Sequence, residues 1–299
     1  MSLLKTWLRA ARLRTLPLSF SGILIGSSFA FSSNFDFDIF SSCLLITVLF
    51  QIISNFANDL GDAVKGVDDE TRIGPERAIQ SGMITIAQMK NAIIILSVLA
   101  VIVVLQLLFR IDLSRNELLI FSALGMMSIW AAIAYTIGKN PYGYRALGDL
   151  MVFLFFGLLA VVGTYYLYAR SVVLEVVLIA SAIGALAVAV LNLNNMRDRE
   201  DDTLKNKKTM AVILGAEKAK RYHTAVLLIS VLLFAAGISL SGYYWYFLGL
   251  VPLLRLVGHL KRVWQTENAR EFDPELKVIA LSSFMTSLLC FIIGLIVYF

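Results

Sequence analysis

Residues 91–109 read NAIIILSVLAVIVVLQLLF, a run without a charge, closed by Lys90 before it and Arg110 after it. A helix of that length rises about 28 Å, close to the ~30 Å hydrocarbon core of a bilayer. The run can therefore cross a membrane, and the rest of the chain repeats the pattern. Of its 299 residues 59% are apolar and 16% charged, with a mean hydropathy of +0.78, whereas a soluble domain is about half apolar. Predominantly apolar runs at 17–32, 39–58, 91–109, 117–137, 149–169, 171–194, 223–241, 243–258 and 278–299 predict an all-α polytopic bundle of nine transmembrane helices in one domain, 1–299. Pro17, Pro75, Pro141, Pro252 and Pro274 fall mostly at span edges or in loops, so the helices are expected to run unbroken.

Charge sets the orientation. Lys5, Arg9, Arg12 and Arg14 precede a span that leads, with no small-residue cleavage pattern, into further spans, so a retained cytoplasmic N-terminus is expected. Of the 26 lysines and arginines only Arg110, Arg115 and Arg170 then fall on outer segments, as the positive-inside rule requires, and Phe299 falls outside. The net charge of +5 needs no nucleic-acid partner, because topology accounts for the basic residues. Cys43 and Cys290, both in apolar segments, read as small buried hydrophobes. His223 and His259, at predicted inner edges and far apart in sequence, read as interfacial residues. No phosphate-loop, dinucleotide or zinc pattern is present.

The inner acids are organised differently. The second span ends in QIISNFANDLGDAVKGVDDETR (51–72) and the sixth in AVLNLNNMRDREDDTLKNKKT (189–209). If each helix continues past its apolar part, Asn55, Asn58, Asp59 and Asp62 share one face, as do Asn194, Asn195, Asp198 and Asp202. Such faces of carboxylate and amide oxygens suit a hard cation, above all Mg²⁺ carrying substrate phosphates. The two segments align at a constant offset: Asn55 with Asn195, Asn58 with Asp198, Asp62 with Asp202, Lys65 with Lys205, Gly66 with Asn206. This suggests two four-helix halves with a ninth helix appended and one site between them. Lys65, Arg72, Arg77, Lys139, Lys205, Lys207 and Lys208 are the cations available to a diphosphate. In YTIGKNPYGYRALGD (135–149), Tyr135, Tyr142 and Tyr144 offer electron-rich faces to a cation, and Asp149 needs a partner such as Lys139 or Arg145. An ion-coupled transporter also shows repeats and acids near helix ends, but here the acids gather at one face and not at the midplane.

These motifs resemble those of the UbiA superfamily of intramembrane prenyltransferases, over nearly the whole chain. The first, N-D-x-x-D-x-x-K-G-x-D, is met by Asn58, Asp59, Asp62, Lys65, Gly66 and Asp68; the second, N-N-x-R-D-x-x-x-D, by Asn194, Asn195, Arg197, Asp198 and Asp202, followed by Thr209 and AVILG. RIGPERAIQSG (72–82) and YTIGKNPYGY (135–144) look most like the branch acting on 1,4-dihydroxy-2-naphthoate in menaquinone biosynthesis. Two positions depart from the superfamily pattern: Gly66 stands where a third aspartate is common, leaving Asp68 or Asp69 to serve, and Asn206 replaces a glycine.

The resemblance implies a bundle in the inner membrane with its active site facing the cytoplasm and an apolar tunnel for the isoprenyl tail. It implies transfer of a polyprenyl group from an allylic diphosphate to an aromatic acceptor with Mg²⁺ as cofactor, 4-hydroxybenzoate being the alternative acceptor. The expected metal ligands are Asn58, Asp59, Asp62, Asp68, Asp198 and Asp202. Diphosphate binding is expected from Asn58, Lys65, Arg72, Arg77, Lys139, Asn195 and Lys205, and catalysis from Asp62, Asp202, Lys65, Lys139, Tyr135, Tyr142 and Asp149.

Overall fold

The computed structural model describes residues 2–32, 35–66 and 77–298. Among them the chain is all-helical, the only extended pairing being a two-residue bridge between Arg145 and Lys208. Among the described residues seven helices are long and apolar enough to cross a membrane: α3 (Phe37–Val64), α4 (Ile86–Arg110), α5 (Arg115–Ala134), α6 (Gly148–Ala169), α7 (Leu174–Arg197), α9 (Met210–Ser241) and α11 (Phe272–Tyr298). Four shorter ones complete the set: α1 (Leu3–Ala11), α2 (Leu16–Ser28), α8 (Arg199–Leu204) and α10 (Arg255–Gln265).

The first and eighth predicted spans are therefore not single long α-helices. Of residues 17–32 only 17–28 are helical, in the short α2 with Pro17 in its first turn. Residues 243–258 form a 3₁₀ helix, Tyr244–Leu254, with Pro252 inside it, that runs on into α10. Nor do the long helices all run unbroken. The middle of α6, Phe153–Gly163, widens to a π-helix, and α9 kinks at Gly215, whose φ is 75°. Local chemistry sets the starts: Thr85 with Gln88 and Ser114 with Glu117 form reciprocal capping boxes at the heads of α4 and α5.

Without water in the bilayer core, helices associate through close packing of small residues and shared hydrogen bonds. α7 is the most enclosed of the seven, packed by α6, α9 and α11. Gly157 of α6 and Gly184 of α7 meet so closely that a Cβ on Gly157 would lie 2.6 Å from the Gly184 Cα. The Ser230 hydroxyl of α9 donates to the Ala182 carbonyl of α7 at 2.9 Å. The outward faces carry Ile94, Ile95, Val98 and Ile102 on α4, and Leu228, Ile229 and Leu232 on α9, all exposed. An exposed belt of that size belongs against lipid. Cys43 and Cys290 are buried free thiols, as expected.

Candidate active site

Helix α3 continues past its apolar part as expected, carrying Asn55, Asn58 and Asp62 down one wall of a cavity of about 430 Å³. Helix α7 does not continue: it ends at Arg197, the chain breaks at Asp198, and the separate turn α8 carries Asp202. The two ends nevertheless finish alike. The Lys65 N–H reaches the carbonyls of Gly61 and Ala63, and the Lys205 N–H those of Asp201 and Thr203. Gly66 and Asn206, each next in line, both lie in the left-handed region, with φ of 65° and 53°. Asparagine tolerates that conformation better than most residues, so its replacement of the glycine keeps the turn.

The cavity joins the motifs. Asn194 and Asp198 line it opposite Asn58 and Asp62, together with Arg12, Arg77 and Lys207. Along α3 its wall runs from Asp62 back to Cys43, about 28 Å at 1.5 Å per residue. Leu107, Leu108, Phe121, Phe155, Phe156, Leu159 and Leu167 line the apolar stretch, the widened turns of α6 supplying three of these side chains. A charged mouth thus opens onto an apolar shaft.

At the mouth Arg77, almost buried, bridges Asp59 and Asp62, its Nη1 donating to Asp59 at 2.9 Å and its Nη2 to Asp62. Arg12, in the left-handed region between α1 and α2, also binds Asp59. Asp59 does not reach the cavity wall. The Tyr144 hydroxyl donates to Asp62 Oδ1 at 3.2 Å, and the ammoniums of Lys65 and Lys207 lie 3.9 and 5.8 Å from its ring centroid. Lys207 donates to Asp202 Oδ1 at 3.0 Å, while Asp202 Oδ2 is buried with no hydrogen-bond partner among the described residues, and Asp202 does not line the cavity. Loops 138–147 and 205–208 are tied together by the Ala146 N–H donating to the Lys208 carbonyl at 2.7 Å. Burial lowers the Lys65 pKa, with repulsion from Lys207 and against the attraction of Asp62. Burial would lower Lys207 as well, but Asp202 and Asp62 overcome it and the net shift is upward. The Asp202 pKa is raised by burial, against the pull of Lys207.

Several expectations change. Lys205 pairs with Asp201 at 2.7 Å, so it is Lys207, two residues on, that faces the cavity. Lys139 is exposed and off the cavity wall, and Asn195 is buried and likewise off it. Asp149 accepts from Tyr222 at 2.8 Å instead of pairing with Lys139 or Arg145. Tyr135 and Tyr142 do line the cavity, edge to face at 5.3 Å. His223 and His259 are not separate interfacial residues: both are buried, their Nε2 atoms 2.9 Å apart, with His259 Nδ1 2.6 Å from Glu275. Asp68, Asp69 and Arg72 lie outside the described residues. Sequence reasoning passed over Arg12, which reads as one of four topology-setting charges, and no spacing in the sequence marks it.

A membrane bundle that sets carboxylates, amides and cations around the open end of an apolar shaft is a site for an amphiphile with an anionic head. The chain belongs to the UbiA prenyltransferase family, whose model matches residues 19–284, and it is an integral membrane protein. It is 40% identical to 1,4-dihydroxy-2-naphthoate octaprenyltransferase of Haemophilus influenzae, over 98% of this chain and 96% of that protein. Solved structures share the fold. The apo structure of a UbiA homolog from Aeropyrum pernix K1 superposes with a TM-score of 0.71 at 15% identity, covering 96% of this chain and 98% of that one. A homolog from Archaeoglobus fulgidus bound to DMAPP and Mg²⁺ gives 0.56 at 18% identity, covering 94% and 98%.

Proposed function

We propose that this protein transfers a polyprenyl group from an allylic isoprenyl diphosphate to 1,4-dihydroxy-2-naphthoate, releasing diphosphate and CO₂ and giving demethylmenaquinol for menaquinone biosynthesis. The observation that carries the reading is the convergence of both acid-and-amide motifs on the mouth of one apolar cavity. The name of the Haemophilus influenzae relative supports the acceptor. The donor class is supported by the Archaeoglobus fulgidus homolog, whose structure holds DMAPP and Mg²⁺.

The residues present fit Mg²⁺ in kind, because Asn58, Asp62, Asn194 and Asp198 bring hard oxygens to the cavity wall and Asp202, off it, leaves a buried carboxylate oxygen without a partner among the described residues. Asn58, Asp62, Asp198 and Asp202 would hold the ion. Bound there, it would neutralise the diphosphate and ease its departure. Lys65, Lys207 and Arg77 place three further positive charges at the same end. As the allylic C–O bond breaks, its electron pair leaves with the diphosphate, which these cations stabilise. Tyr135 and Tyr142 present ring faces to the allylic cation and keep water from it. The ring carbon bearing the carboxylate attacks, a C–C bond forms, and the electrons of the C–CO₂ bond return to the ring as CO₂ leaves. The sum balances without an enzymic base, so Asp149, off the cavity wall, is assigned no proton.

Nine crossings are part of the proposal. The 3₁₀ stretch Tyr244–Leu254 rises about 2 Å per residue, so together with α10 it is long enough to cross. The short α2 is packed against α3, α6 and α11, inside protein, where few of its backbone groups need lipid. The N-terminus is then cytoplasmic, the C-terminus external, and the site opens to the cytoplasm of a bacterial inner membrane. The two halves represent an internal repeat, for which the matched turns at Lys65–Gly66 and Lys205–Asn206 are the local support.

Acceptor labelled in its carboxyl carbon tests the reaction. With purified protein, Mg²⁺ and an allylic diphosphate, labelled CO₂ should appear in step with prenylated naphthoquinol. A prenylated product that keeps the label, or a preference for 4-hydroxybenzoate, would move the chain to another branch of the family.

A further inference from the structure

Arg197, at the end of α7, is buried to 5% side-chain exposure and uses both edges of its guanidinium. Its Nε and Nη2 grip the two oxygens of Asp198 at 2.7 and 2.8 Å. Nη2 also donates to Asn194 Oδ1 at 2.8 Å. Nη1, on the other edge, donates to Asp273 Oδ1 at 2.6 Å. Asp273 belongs to a different helix, in the first turn of α11, and its carboxylate is half exposed and off the cavity wall.

A guanidinium is planar and has only donors. Held by Asp273 on one side, it can present its fork to Asp198 in one plane only, and it compels Asn194 to face it with oxygen. The Asn194 NH₂ is thereby turned to Asp198 Oδ2, 3.4 Å away. The two second-motif residues on the cavity wall, Asn194 and Asp198, thus take their orientation from Arg197, and Arg197 takes its own in part from Asp273. The anchor is itself tied down. Two residues along α11, Glu275 accepts from Arg262 of α10 at 2.5 and 3.1 Å and lies 2.6 Å from His259.

We propose that Asp273 is a positioning residue: acting through Arg197, it holds Asp198 and Asn194 in the arrangement that binds the magnesium diphosphate. The proposal rests on the reading of the cavity mouth as a diphosphate site. Outer partners of metal-binding groups typically govern affinity by about 10–100-fold. Asp273 makes no contact with the cavity, so its loss should act on binding and leave the chemical step nearly intact.

The experiment uses the full chain in lipid nanodiscs, with inorganic diphosphate titrated calorimetrically over a range of Mg²⁺ concentrations. Asp273→Asn keeps the shape and removes the charge. It should raise the Mg²⁺ concentration giving half-maximal diphosphate binding about tenfold, with turnover at saturating Mg²⁺ within about threefold of wild type. Asp273→Glu should restore most of the loss. In an Arg197→Ala background Asp273→Asn should add nothing. Thermal melting of each variant separates a fold defect: a lower melting temperature with unchanged Mg²⁺ dependence would overturn the proposal, as would additive losses with Arg197→Ala. Because the readout needs no acceptor, wild type that binds diphosphate but prenylates no naphthoate would overturn the acceptor reading alone. Wild type that shows no Mg²⁺-dependent binding would overturn both.

Discussion

The Lys65 ammonium sits 3.9 Å from the centroid of the Tyr144 ring, whose hydroxyl donates to Asp62 at 3.2 Å. One side chain thus orients a cation and an acid of the first motif from a loop that follows α5. Tyr144→Phe removes the hydrogen bond and keeps the ring, and should cost about fivefold in kcat/KM, equivalent to ~1 kcal/mol. Tyr144→Leu removes both and should cost a further ~0.5–2 kcal/mol. Equal losses in steady-state kinetics would mean that the ring face contributes nothing.

The structure separates two lysines that the sequence does not. Lys207 lines the cavity and binds Asp202, whereas Lys139 is exposed and away from it. Lys207→Gln should lower kcat/KM by roughly 100-fold, the scale of a lost preorganised charge at a leaving group. Lys139→Gln should stay within about twofold. A large loss at Lys139 in the same assay would show that it closes onto the substrate.

Burial, against the pull of Lys207, raises the Asp202 pKa, so in the metal-free protein this carboxylate favours the protonated folded state. For a group raised on folding, the stabilising contribution is fully present below the unfolded value, about 3.9 for aspartate, and is lost as pH rises through the folded value. Relative to wild type, metal-free Asp202→Asn should therefore lose melting temperature as pH falls from 7 to 4, since it cannot gain the proton that stabilises the folded wild type there, while abolishing most turnover. Melting curves at pH 7 and pH 4 check the sign; a difference from wild type that is the same at both would contradict it.

Gly61, between Asp59 and Asp62, packs so tightly on Thr136 that a Cβ would lie 2.7 Å from the threonine Cβ and 2.9 Å from its carbonyl carbon. Gly61→Ala should destabilise by about 1–3 kcal/mol through overpacking and move Asp62 off its bonds. Gly66→Ala meets no described residue within 4 Å but has a φ of 65°, and should cost about 1 kcal/mol with turnover largely kept. Melting and kinetics on the pair distinguish crowding at the site from backbone strain beside it.

Much of this architecture is legible in the sequence because hydrophobic length is a one-dimensional property. The run 91–109 between Lys90 and Arg110 becomes α4, and three of the four residues of the predicted face, Asn55, Asn58 and Asp62 without Asp59, line the cavity. What was not legible depends on where chains meet in three dimensions. Lys205 and Lys207 are indistinguishable by composition, and the left-handed turn at Asn206 decides which one faces the cavity. His223 and His259 meet only because α9 and α10 fold back on each other. Arg12 reaches Asp59 only because the chain turns sharply between α1 and α2. Nothing in the apolar residues 153–163 announces a π-helix, which comes with the glycine contact between Gly157 and Gly184.

The central claim is that the two motifs hold one diphosphate together. Asp62 lines the mouth, and Asp202, off the cavity wall, binds Lys207, which lines it; Tyr144 links the two. Groups that act as a unit give losses that do not multiply. The direct measurement is a double-mutant cycle of Asp62→Asn and Asp202→Asn on kcat/KM for the allylic diphosphate. If the motifs share a site, each single substitution abolishes most turnover and the double variant is little worse than either. Losses that multiply across the cycle would show two independent sites and contradict the account.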